Sequence, residues 1–110
     1  MTHNSAILIR LLKDANDWVG LPDLMRHTKE HCKSECYPVH SRIADLRGKY
    51  GYTIYNDTKN INGVNHSFYM IKVTDRELRV LRKIYNSSSR FMPSYSQVLR
   101  QLMPEQKVLI

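Results

Sequence analysis

Glycine is scarce in this chain, with four in 110 residues, and none of them forms a glycine-rich phosphate-binding loop. Nucleophile-elbow and metalloprotease motifs are also missing, and no nucleophile–base pair or pair of carboxylates stands out. We therefore expect no enzymatic activity, no catalytic residues, no cofactor and no small-molecule substrate.

Long apolar runs are lacking as well. The longest of them, such as Ala6 to Ile9, are too short for a signal peptide or a membrane span. The two cysteines, Cys32 and Cys36, accompany no secretory signal, so we expect reduced thiols. Together these features predict a cytoplasmic protein with no membrane partner.

Acidic residues are outnumbered by basic ones. The chain has 17 Lys and Arg against 10 Asp and Glu, which gives a net charge of +7. This balance favours a polyanionic partner, although it also fits a membrane surface or plain solubility. Residues 74–110 are relatively the more basic part, with seven basic against three acidic side chains. We expect that part to contact phosphate or an acidic partner too.

The most informative segment runs from Tyr37 to Tyr52 and reads YPVHSRIADLRGKYGY. Its apolar residues recur at helical spacing and form one stripe, which consists of Val39, Ile43, Leu46 and Tyr50. The opposite side carries small residues, namely Ser41, Ala44 and Gly48. Cationic side chains border this small strip, with His40 and Arg47 on one edge and Arg42 and Lys49 on the other. The pattern predicts a helix from near Pro38 to Gly51 that can enter a major groove.

Two helices are predicted before this segment. The first covers about Asn4 to Ala15, and the second opens at Gly20 to Asp23 and ends between Lys29 and Cys32. Between them, Trp18 and Val19 suggest a short strand. After the segment, alternating residues predict strands over Tyr52–Asn56 and Ser67–Lys72. The polar stretch between these strands is predicted to be a loop whose Asn62-Gly63 pair forms a tight type I′ turn.

With these elements placed, the chain resembles small winged helix-turn-helix DNA-binding proteins of bacteriophage and prophage type. The likeness is carried by WVGLPDLMR, VHSRIADLRGKYGYTI and HSFYMI, and it covers roughly residues 4–73. It implies an α+β fold, with a winged helix-turn-helix of three helices plus a β-hairpin wing over residues 1–73. It also implies sequence-selective binding of double-stranded DNA in the cytoplasm of a bacterial host cell, for transcription regulation, excision or replication. The connection Lys29–Tyr37 is longer than a tight helix-turn-helix turn, which leaves the angle between the two helices open.

The expected DNA contacts come from this helix and the wing. Base readout is assigned to Tyr37, His40, Ser41, Ala44 and Arg47, and phosphate contact mainly to Arg42, Lys49 and Lys59. Because Arg47 and Lys49 point away from the buried stripe, their substitution is expected to change stability little. Two alternatives stay open. The cations can simply be solvated, with Arg42 paired to Asp45, or the domain can bind a host or phage protein without touching DNA.

Residues 74–110 form a predicted helical extension. Thr74 and Glu77 have capping-box spacing, Asn86 to Arg90 is a break, and a last helix is expected from Ser94 to Pro104. The apolar side chains of these helices are Leu78, Leu81, Ile84, Tyr85, Val98, Leu99 and Leu102. They allow either homodimerisation or partner binding, which we favour slightly, or folding back onto the domain.

Two further clusters have a plain and a specific interpretation. The first contains His27, His31, Cys32, Cys36 and His40, which are enough ligands for zinc but lack a knuckle spacing, so no metal is expected. The second contains Trp18, Tyr50, Tyr52, Phe68 and Tyr69. These rings are predicted to pack in the core, and a base-stacking platform for single strands is the alternative.

Overall fold

The computed structural model describes residues 2–34, 38–87 and 92–102. Within these ranges the chain is α+β, with five helices and one three-stranded antiparallel sheet. The helices are α1 (His3–Lys13), α2 (Leu21–Cys32), α3 (Val39–Gly48), α4 (Asp75–Ser87) and α5 (Tyr95–Leu102). The strands are β1 (Val19–Gly20), β2 (Thr53–Ile61) and β3 (Val64–Lys72), in the spatial order β1–β3–β2. None of the described helices combines the length and apolarity needed to cross a bilayer.

The core lies between one face of the sheet and the first three helices. Helix α1 is the central element and contributes Ile7, Leu8 and Leu11, which are fully buried. The predicted stripe on α3 is confirmed, because Val39, Ile43 and Leu46 are buried and Tyr50 packs half-buried at its end. The sheet contributes the side chains of Val19, Ile54, Tyr69 and Ile71. Burial of these stripes fixes which side of α3 is left for solvent.

Strands β2 and β3 form a long hairpin. Their pairing runs without interruption from Thr53↔Lys72 to Ile61↔Val64. The loop predicted over Asp57–His66 is therefore wrong, although the predicted Asn62-Gly63 turn is present, with φ of 52° and 81°. Both residues have positive φ, as a type I′ turn requires, and the twist of such a turn matches that of the strands. The backbone ladder can therefore continue to the tip even though the side chains there are polar.

Two helix ends differ from the prediction. Helix α1 ends at Lys13, before Ala15, and the chain then turns through Asn16 at a φ of 66°. Helix α3 ends at Gly48, three residues before Gly51. The amides of Lys49 and Tyr50 both donate to the carbonyl of Asp45, at 2.8 and 3.1 Å, so the helix has already begun to unwind there. Gly51 follows at a φ of 80°, a conformation that favours glycine.

Helices α4 and α5 each begin with reciprocal capping bonds. The predicted box at Thr74 and Glu77 is confirmed, with bonds of 2.9 and 3.1 Å between each amide and the other side chain. Ser94 and Gln97 make the equivalent pair at α5. Helix α4 continues through Asn86 and Ser87, which were predicted to belong to the break. The rest of that break, residues 88–90, and Pro104 lie outside the described residues.

The described part of the extension folds back onto the rest of the chain. Leu81 of α4 and Val98 of α5 are fully buried in the same core as α1 and α3. The amide of Tyr95 also donates to the carbonyl of Tyr50 at 2.7 Å. The fold-back alternative therefore accounts for the two most buried apolar residues of the extension. A homodimer through residues 74–110 stays a prediction.

Candidate nucleic-acid interface

The outward side of α3 is a narrow strip of small side chains. Ala44 and Gly48 are exposed, and Ser41 is half-buried. A Cβ added at Gly48 would meet no heavy atom within 4 Å among the described residues. Because these side chains are short and the strip is open, another molecule that fits against it can approach the backbone of α3 closely.

Cationic side chains border this strip. His40, Arg47 and Lys49 are exposed, whereas Arg42 is half-buried. A nitrogen of the Arg42 guanidinium lies 3.3 Å from the carboxylate of Asp45, which confirms the local pair considered as an alternative. Since exposed i,i+3 pairs are weak, a phosphate can compete with Asp45 for Arg42. Lys49 lies with its ammonium 5.5 Å from the centre of the Tyr50 ring.

Arg47 is held in a way that the sequence does not predict. Its Nε donates to the carbonyl of Ile54 at 2.8 Å, and Nη2 donates to the same oxygen. The expectation that substitution of Arg47 changes stability little does not include this contact, through which the guanidinium joins α3 to the start of β2. Among the described residues, the remaining N–H groups of the planar guanidinium are available for another acceptor. The side chain is thus pre-positioned at the edge of the strip.

The N-terminal end of α3 and the hairpin border the same groove. This groove, of about 250 Å³, is lined by Leu21, Met25, Pro38, Val39, His40, Ser67 and Tyr69. His40 of α3 and Ser67 of β3 therefore lie at one surface. In contrast, Lys59 lies an odd number of residues after the buried Ile54 in β2, so strand alternation places it on the other face of the hairpin. Its ammonium is there 5.8 Å from the centre of the Phe68 ring. Tyr37, the remaining expected contact, lies outside the described residues.

His27 and His31 stack on α2 with their ring centres 4.0 Å apart. His27 is buried, and its Nε2 has no hydrogen-bond partner among the described residues. Burial, helped by the nearby His31, Lys13 and Arg10, lowers the pKa of His27 to about 4, whereas Glu30 opposes this shift. His27 is therefore a neutral imidazole at physiological pH.

The candidate metal ligands do not converge in the described part of the chain. No group of three or more His, Cys, Asp or Glu side chains able to hold a metal is found there. Burial also raises the pKa of the Cys32 thiol, which disfavours the thiolate that zinc binds. Cys36 lies outside the described residues.

The aromatic residues divide between the two faces of the sheet. Tyr52 and Tyr69 are buried in the core, as predicted, and Tyr50 is half-buried against it. The prediction is wrong for Trp18, which is 40% exposed, and for Phe68, which is half-buried and not part of the core. Trp18 precedes the inward-facing Val19, and strand alternation turns it to the opposite face. The half-buried Phe68 of β3 lies on that same face.

Comparison of the chain with family models, with curated proteins and with solved structures finds no match. The chemistry of α3 and of the hairpin therefore has to be judged from their own geometry.

Proposed function

We propose that this chain is a winged helix-turn-helix protein that binds double-stranded DNA with sequence selectivity. In this proposal α2 and α3 form the helix-turn-helix, α3 enters the major groove, and the β2–β3 hairpin is the wing. The biological role would be that of a transcriptional regulator or accessory DNA-binding protein of phage or prophage type, as the sequence resemblance implies.

The observation that carries this proposal is the form of α3. Its apolar stripe is buried, its opposite strip is low and open at Ala44 and Gly48, and exposed cations border that strip. A major groove is wide enough to admit one α-helix, and long basic side chains beside a low strip can reach both base edges and phosphates. The net charge of +7 supports the same partner.

The roles within α3 follow from where each side chain is held. The guanidinium of Arg47 is held by the carbonyl of Ile54, and its other N–H groups have no acceptor among the described residues. This arrangement suits bidentate contact with guanine. His40 lies at the N-terminal end, beside the groove shared with β3. Lys49 and Arg42 lie on the opposite edge and suit phosphate contact. Lys59 can reach only phosphate on the far side of the hairpin.

Salt dependence of duplex binding is the decisive experiment. A pool of random duplexes should yield a preferred sequence, and binding to it should weaken steeply as salt is raised. About five phosphate contacts predict a log–log slope of roughly −4 to −5. Absence of binding at low salt, or a flat response, would instead favour the protein-interaction module.

A matched pair of variants tests whether α3 is the contacting element. Ala44→Glu places a carboxylate on the open strip and should abolish duplex binding. Gln101→Glu makes the same change of charge at an exposed position of α5 and should leave binding nearly unchanged. Equal effects of the two substitutions would mean that only overall charge matters, and would remove α3 from the interface.

A further inference from the structure

The sheet has an apolar outer face that none of the described helices covers. Side chains alternate along a strand, so the residues next to the buried Val19, Ile54, Tyr69 and Ile71 point the other way. We call this surface the outer face, and its large side chains are Trp18, Tyr55, Phe68, Met70, Ile61 and Val64. Four of them are conspicuously exposed, from 40% for Trp18 to 57% for Val64. Exposed apolar side chains that lie together, as Trp18 and Tyr55 do on this face, mark a candidate binding site.

The strand register places the aromatic residues of this face near one another. Tyr55 pairs with Met70 on β3, and Gly20 of β1 pairs with Phe68. Because Gly20 has no side chain, the Phe68 ring lies over it, at 3.7 Å from the position of a Cβ. Adjacent strands are about 4.8 Å apart, so Trp18 on the β1 side and Tyr55 on β2 lie about 10 Å apart, with Met70 of β3 between them and Phe68 two residues along β3. The exposed side chains of Trp18 and Tyr55 and the half-buried ring of Phe68 thus lie on one side of the sheet.

The charged groups on the same face are mainly positive. Lys59 lies over the Phe68 ring, and Lys72 follows Met70 by two residues. Asp57, the partner of Phe68, is the acidic residue among them. Two copies of this chain that met through this face would bring these cations together. A polyanion with flat, uncharged rings complements the face better.

We propose that the outer face binds unpaired bases of single-stranded nucleic acid. Trp18 and Tyr55 stack on the bases, the half-buried Phe68 extends their apolar surface, and Lys59 and Lys72 contact the phosphates. Every base presents a π-face, so this site accepts any sequence. It is formed by β1, β2 and β3 and not by the strip on α3, and Lys59 is the residue that both proposed contacts use.

Trp18 is the single tryptophan of the chain and therefore reports on this site alone. Titration of the whole protein with an oligothymidine of about ten nucleotides should quench its fluorescence, since a stacked base contacts the indole. A duplex of the same length should leave the emission unchanged, because its bases are already stacked. Tyr55→Leu should weaken oligothymidine binding roughly 5- to 150-fold, whereas Tyr55→Phe keeps a ring and should bind like the wild type. Tyr55 is half-exposed, so both variants should fold.

Three results would overturn this proposal. The first is an unchanged Trp18 emission at saturating oligothymidine. The second is equal affinity of the Tyr55→Leu variant and the wild type. The third is quenching that grows with protein concentration in the absence of nucleic acid, which would identify the face as a contact between two copies. The Ala44→Glu variant separates the two functions, because it should lose duplex binding and keep oligothymidine binding.

Discussion

The hydroxyl of Tyr52 donates a hydrogen bond of 2.8 Å to the carbonyl of Pro93, 41 residues further along the chain. Tyr52 is almost completely buried, and burial, with a smaller contribution from Tyr85, raises the pKa of its hydroxyl far above the usual range. The neutral hydroxyl is thus a permanent donor. The edge of the Tyr95 ring packs against the same side chain, with ring centres 5.8 Å apart. Through Tyr52 the start of the hairpin is joined to the start of α5.

Tyr52→Phe should lower the free energy of unfolding by about 1–2 kcal/mol. The ring and its packing remain, but the carbonyl of Pro93 loses its donor in a buried place. Urea denaturation followed by circular dichroism measures the effect. Tyr55→Phe removes a hydroxyl from an exposed position in β2 and should change stability little. Equal stability of the two variants would show that the Tyr52–Pro93 bond contributes nothing.

The contrast between Tyr52 and Tyr55 shows how far the sequence could predict the fold. Strand alternation already places Tyr52 and Ile54 on one face and Tyr55 on the other. The capping box of Thr74 and Glu77 and the buried stripe of α3 are equally local patterns, and both predictions are confirmed. The partner of Tyr52 could not be predicted, since a backbone carbonyl 41 residues away has no sequence signature.

In the candidate site, too, the local patterns could be predicted from the sequence and the long-range contacts could not. The small strip and cationic borders of α3 follow from helical periodicity. The bond from Arg47 to Ile54 does not, because it depends on the angle at which α3 meets β2. The outer face is not predicted from the sequence, because Trp18 and Phe68 are both expected in the core. The sign that could have found it is the position of Trp18 next to the inward-facing Val19.

Asn16 provides a second long-range connection. Its side chain donates to the carbonyl of Val73 at 2.8 Å and accepts from the Val73 amide at 3.0 Å, across 57 residues. Asn16 also has a φ of 66°, which asparagine tolerates better than most residues. Asn16→Gly should lose only the side-chain bonds, at about 1–3 kcal/mol. Asn16→Ala should lose about 1 kcal/mol more, because alanine is also strained at this φ. Thermal or urea unfolding of the pair checks the order, and an alanine variant at least as stable as the glycine variant would contradict it.

The buried His27 makes stability depend on pH. The pKa of His27 is about 4 in the folded chain and has the ordinary histidine value of 6.5 in the unfolded chain. The unfolded chain therefore takes up the proton first as pH falls. Stability should therefore decrease from about pH 6.5 down to about pH 4, by about 3 kcal/mol from this group, and His27 should add no further decrease below pH 4.

His27→Leu removes the titrating group and should flatten this part of the profile. His31→Gln changes a neighbouring exposed imidazole and should leave most of the dependence in place. The measurement is the urea midpoint between pH 4 and 7 for the three proteins. If the leucine variant retained the full slope, another group would have to cause it.

Arg47 is expected to serve both the fold and DNA binding, and two substitutions separate these roles. Arg47→Ala removes the bonds to Ile54 and should lower the free energy of unfolding by about 1 kcal/mol, since the side chain is exposed and water can replace it. On the preferred duplex it should also cost roughly 1–3 kcal/mol of binding and blur the preference at one base pair. Arg47→Lys keeps the charge but not the planar fork, so it should retain the affinity for arbitrary duplexes and lose the preference.

Binding has to be measured well below the melting temperature of the least stable variant, so that loss of fold does not imitate loss of contact. An alanine variant that melts earlier yet binds the preferred duplex like the wild type would make Arg47 a structural residue only. Base reading would then fall to His40, Ser41 and Ala44 among the described residues.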